Sequence, residues 1–81
     1  MFGVTQKQLE QLRQQYPKGT RLKLISMDDP HGVPAGEVGE VELIDDIGQI
    51  HMKWENGSSL ALIPGVDRFR KIGNLYMVVS K

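Results

Sequence analysis

Apolar residues recur along this chain at two different periods. Leu9, Leu12 and Tyr16 fall at helical spacing. Thr5-Gln6-Lys7-Gln8 has the form of a capping box, with Thr5 as the N-cap and Gln8 at the third helical position. Val4 and Leu9 stand where a hydrophobic staple would join the entering chain to the helix. Pro17 biases Tyr16 away from helical geometry. The pattern predicts a helix over residues 5–15 with one narrow apolar stripe. A helix of about ten residues is marginal alone and has to dock on something.

Beyond Pro17 the period falls to two. In residues 20–26, Leu22 and Leu24 point one way and Arg21 and Lys23 the other, a half-buried strand. Residues 27–36 hold two Pro, two Gly, two Asp and His31, and read as a long loop. Residues 39–44 form a second strand, with Val41 and Leu43 inward and Glu40 and Glu42 outward. Residues 49–54 form a third, with Ile50, Met52 and Trp54 inward and His51 and Lys53 outward. Pairing Ile44 with Gln49 sets Leu43 against Ile50 and Val41 against Met52. On the other face it sets Glu42 against His51 and Glu40 against Lys53. Opposite charges across a ladder contribute about 0.2–1 kcal/mol each.

Asn56-Gly57 is compatible with a two-residue hairpin turn, but that register exposes Leu60 and Leu62. A three-residue loop over residues 55–57, with Gly57 left-handed, keeps Leu60 and Leu62 on the side of Ile50 and Met52 and is the expected form. Residues 63–67, Ile-Pro-Gly-Val-Asp, form a corner or a single 3₁₀ turn. Residues 68–72 form a fifth strand and residues 75–80 a sixth. That last segment is apolar on both faces, so either the helix or a second chain covers it. The expected fold is mostly β: a small SH3-like barrel of five to six antiparallel strands with a short N-terminal α-helix. The chain forms one domain over residues 1–81, with the helix at 5–15, the barrel at 18–72 and an additional strand at 75–80. Closure removes the exposed edges of a small sheet.

Two runs and a longer stretch carry a resemblance. Tyr16-Pro17-Lys18-Gly19-Thr20-Arg21, Ser26-Met27-Asp28-Asp29-Pro30 and residues 45–67 resemble a domain-of-unknown-function family of Gram-positive bacteria, their phages and conjugative elements. The run from His51 to Leu60 is its most specific part. The resemblance spans residues 16–72, with the helix and the end after Ile72 outside its strongest part. It implies an SH3-like fold and a mobile-element setting, without a mechanism. A weaker similarity, over residues 18–24 and 36–41, is to the KOW and Tudor type of module, whose members bind RNA, DNA or protein.

Composition narrows the chemistry. The chain has 81 residues, no cysteine and a formal charge of zero. Disulfides and thiolate metal sites are excluded, and a reducing cytoplasm suits such a chain. Residues 1–7 have no apolar core of a signal peptide, and no apolar run approaches the ~20 residues of a membrane span. The charge is unevenly spread: residues 27–46 carry seven acids and no Lys or Arg, while the flanking segments are basic. Asp28, Asp29 and His31 share a loop, but Asp-Asp-Pro is a turn initiator and no three-ligand metal pattern accompanies it. Asp45 and Asp46 read as turn-setting side chains. Ser58 and Ser59 have no base in a recognisable motif. No catalytic residue, metal or cofactor is expected, and the chain reads as a non-enzyme.

Two binding readings remain. Arg21, Lys23, Lys53, Arg68 and Arg70 lie on outward strand positions. If the first and last barrel strands are neighbours, Arg21 and Lys23 approach Arg68 and Arg70 and form a stripe that meets phosphates. Trp54 reads as a core or rim residue, or, at the barrel mouth beside Asn56, as a ligand contact by stacking. The first reading is thus an accessory nucleic-acid-binding domain of a mobile element, with weak binding. The alternative is a protein-interaction or assembly module that uses the apolar C-terminal strand, including a homodimer through residues 75–79.

Overall fold

The computed structural model describes residues 4–27 and 32–73. The elements are α1 (Gln6–Gln15), β1 (Arg21–Ser26), β2 (Val38–Ile44), β3 (Ile50–Trp54) and β4 (Arg68–Gly73). The strands form one antiparallel sheet in the order β3-β2-β1-β4. The fold is mostly β with one short helix. Where five to six barrel strands were expected, the described residues give four in an open sheet. The expected strand after the 55–57 loop contributes one bridge, Ile50 to Leu62, with backbone bonds of 2.9 and 2.8 Å. The expected strand at 75–80, and the dimer through it, lie outside the described residues.

The helix starts as its sequence dictates. The Thr5 hydroxyl accepts from the Gln8 amide at 3.1 Å, and the Gln8 side chain accepts from the Thr5 amide at 3.0 Å. Two orphan donors of the first turn are thereby satisfied. Leu9 is buried, and Val4, Leu12 and Tyr16 pack against the core. Arg13 reaches from the helix to the Ile44 carbonyl at 3.0 Å and to Asp46 at 3.2 Å. At the far end the Tyr16 ring meets Phe69 of β4 edge to face, 5.7 Å between centroids. The helix therefore crosses from the β2–β3 turn to β4 over the apolar face.

That face is built from Leu22, Leu24, Val41, Ile44, Ile50, Met52, Trp54 and Leu62, all buried. Val41 pairs with Met52 and Glu40 with Lys53, as the alternation predicts. The register then shifts: Leu43 lies opposite His51 and Ile44 opposite Ile50. An extra residue on β2 makes a bulge. It turns Leu43 outward, 53% exposed, and Ile44 inward, 6% exposed. The expected pairs Leu43–Ile50, Ile44–Gln49 and Glu42–His51 are corrected accordingly. Ile44 takes the inward place because the helix docks there.

Five glycines among the described residues have positive φ, and two of them, Gly48 and Gly57, shape the turns on either side of β3. Gly57 has φ of 91° in the 55–57 loop, which is closed by Trp54 and Ser58 as the three-residue form requires. Gly48 has φ of 87°, and a Cβ there would come within 2.7 Å of Val4. Its turn is set by Asp45, whose Oδ1 accepts from the amides of Ile47 at 3.1 Å and Gln49 at 2.9 Å. This is the turn-setting role expected of an aspartate here.

Candidate functional site

The sheet order places β1 between β2 and β4, so the outward residues of three elements share one surface. Lys23 stands directly opposite Arg70, and Ser26 opposite Arg68. Arg68 and Arg70 are exposed and Lys23 half-buried. Among the described residues none of these three makes an ion pair. The expected approach of the first and last strands is therefore present for Lys23, Arg68 and Arg70.

The other two cations of the stripe sit in a different environment. Arg21 forms an ion pair with Glu55 at 2.8 Å and lies opposite Glu40 in the β1–β2 ladder. Lys53 lies opposite that same Glu40 from β3. Bases and acids alternate across this part of the surface, so its field is largely self-cancelling. A depression of about 220 Å³ among Arg21, Glu40, Lys53, Trp54 and Glu55 has this mixed lining.

Trp54 is 2% exposed. Its indole N–H donates to the Leu60 carbonyl at 2.8 Å. Gly39 lies opposite it, and a Cβ on Gly39 would come within 2.8 Å of the ring. The ring is enclosed by the core and does not offer a face for stacking. Asn56 is exposed, and its Oδ1 accepts from the Ser58 amide at 2.9 Å, which shapes the turn. Leu60, expected inside, is 37% exposed because its backbone leaves the ladder to meet the indole.

Sequence reasoning missed three polar pairs, Arg13–Asp46, Arg21–Glu55 and His51–Asp45, of which the last had a local signal. His51 Nε2 lies 2.8 Å from Asp45 Oδ2. Partial burial opposes the charged form of Asp45. The bonds from His51, Gln49 and Ile47, with the charge on the imidazole, outweigh it and hold the carboxyl below its usual 3.8. An outward His six residues after a turn-setting Asp was the available signal. The pair fastens β3 to the turn beneath α1.

Asp28, Asp29 and His31 lie outside the described residues. Among the described residues no group of three His, Asp or Glu converges as metal ligands. No helix among them is long and apolar enough to cross a membrane.

The chain belongs to the family of the domain of unknown function DUF4314, whose model matches residues 5–72. The match runs from the N-cap of α1 almost to the end of β4, so the helix belongs to the family domain as much as the sheet does. The comparison thereby extends the resemblance, whose strongest part began at residue 16. No curated protein and no solved structure matches the chain.

Proposed function

We propose that this domain is a non-enzymatic binding module that contacts the phosphate backbone of nucleic acid through Lys23, Arg68 and Arg70. The observation that supports it is the direct opposition of Lys23 and Arg70 across β1 and β4, with Arg68 two residues away on the same strand. Three cations on one rigid sheet meet phosphates without ordering a loop. They read no bases, so binding is weak and independent of sequence. Arg21 contributes less because Glu55 pairs with it, and Lys53 because Glu40 stands opposite it across the ladder. In this reading the sheet is an SH3-like barrel in reduced form. Its fourth strand has shrunk to the Ile50–Leu62 bridge and its corner is the turn at residues 63–67. The setting inferred from the resemblance is an accessory role in a mobile element, and the absence of cysteine suits the cytoplasm.

The test is titration of a labelled DNA duplex by fluorescence anisotropy at several salt concentrations. Three phosphate contacts give a log–log salt slope of about −2 to −3. Lys23→Glu with Arg70→Glu is expected to abolish binding. Equal binding by the wild type and this double variant would remove the proposal.

A further inference from the structure

We infer that the groove between the C-terminal half of α1 and the start of β4 docks an acidic peptide segment bearing a bulky apolar residue. This goes beyond the phosphate-binding surface, with which it shares only Arg68. The groove holds about 410 Å³, and its floor and walls include Leu12, Tyr16, Ile25, Pro64, Arg68 and Phe69. That volume falls within the range of ligand-binding clefts.

Its apolar character is open to solvent. Ile25 is 46% exposed, and the adjoining turn leaves Ile63 and Val66 at 42% and 59%. Tyr16 and Phe69 present an edge-to-face pair at 5.7 Å, a rigid wall for one apolar side chain. Exposed apolar residues gathered around a concave surface mark interaction sites.

The charges at its ends select the partner. Arg68 is exposed at the corner end and has no ion pair among the described residues. At the helix end, Lys71 sits 5.4 Å from the Tyr16 ring centre and donates to the Gln15 carbonyl at 2.6 Å, and it makes no ion pair among the described residues. Asp67, the carboxylate among the described lining residues, accepts from the Ile63 amide at 2.8 Å and keeps its charge, so Arg68 and Lys71 together leave the groove net positive. A positive charge thus stands at each end of a groove whose lining is part apolar and part polar. Its complement is a segment with an apolar residue in the middle and carboxylates on both sides.

The experiment uses the full chain, labelled with nitrogen-15. It is titrated with a hexapeptide of two glutamates, a leucine, a phenylalanine and two glutamates. A second hexapeptide carries lysines in place of the glutamates. The acidic peptide is expected to shift the amide signals of Leu12, Tyr16, Ile25 and Phe69 saturably, and the basic one to bind at least about tenfold more weakly. Arg68→Glu, and separately Ile25→Asp at an exposed position, should each weaken the acidic peptide by at least about tenfold. Equal response to both peptides, shifts confined to other surfaces, or affinity untouched by both variants would overturn the inference. A DNA duplex that shifts the same four amides and displaces the peptide would overturn it too, assigning the groove to nucleic acid.

Discussion

The indole nitrogen of Trp54 donates to the carbonyl of Leu60 across the 55–57 loop. This bond turns a chain that could have continued as a strand into a strap that lies over the end of β3. It explains together why Trp54 is buried and Leu60 half out of the core. Trp54→Phe keeps an aromatic ring but loses the donor, and should destabilise by about 1 kcal/mol. Trp54→Ala removes the ring and should cost about 3–5 kcal/mol. Urea denaturation measures both. Equal losses would show that the hydrogen bond and the ring volume are not separable here.

The two turn glycines should respond differently to a methyl group. Gly57 has positive φ with nothing within 4 Å of a Cβ, so Gly57→Ala meets only the backbone penalty, about 1 kcal/mol. Gly48 carries the same penalty and would in addition drive a Cβ into Val4. Gly48→Ala should therefore cost at least about 2 kcal/mol, the helix being pushed off its turn. Thermal melts, followed in the far-ultraviolet for helix content, would show the larger loss for Gly48→Ala.

Asp45 sets an acid limit on stability. Its folded-state carboxyl titrates below the ordinary range, whereas in the unfolded chain it titrates at its usual value. The stabilisation is present in full above the unfolded value near 3.8 and is lost as pH falls through the lower folded value. Asp45→Asn keeps an oxygen for the Ile47 and Gln49 amides but removes the charge facing His51. It should be less stable at neutral pH and should lose stability less steeply in acid. Chemical denaturation at a series of pH values tests this, and parallel curves for the two proteins would contradict it.

Glu55 restrains Arg21. Under the phosphate-binding reading, Glu55→Gln should release that guanidinium to the ligand. The salt slope should then steepen by up to about 0.9 and affinity should rise. Unchanged binding would confine the surface to Lys23, Arg68 and Arg70.

Much of this fold was legible because local rules agree. The capping box, the Pro17 stop, the alternation in β1 and β3 and the glycine at residue 57 each depend on neighbours within four residues. The approach of Lys23 to Arg70 was legible too, since a small sheet has few ways to place its last strand. The bulge in β2 was not, because Val41-Glu42-Leu43 alternates correctly and only docking of α1 on Ile44 overrides it. Arg13 gives no local sign that its target is a carbonyl 31 residues away. The groove was equally hidden: its walls come from residues 12–16 and 64–69, and only packing brings them together.

The central position of β1 bears on how the domain forms. β2 and β3 are joined by five residues, 45–49, whereas 41 residues, 27–67, separate β1 from its partner β4. The longer loop is about three doublings of the shorter, roughly 2 kcal/mol more closure entropy. The β2–β3 hairpin can therefore form early, and the clasp of β1 by β4 comes late. During synthesis β1 leaves the ribosome well before β4. Until Arg68–Gly73 arrives, β1 presents an unpaired edge, and any other extended chain nearby competes for it.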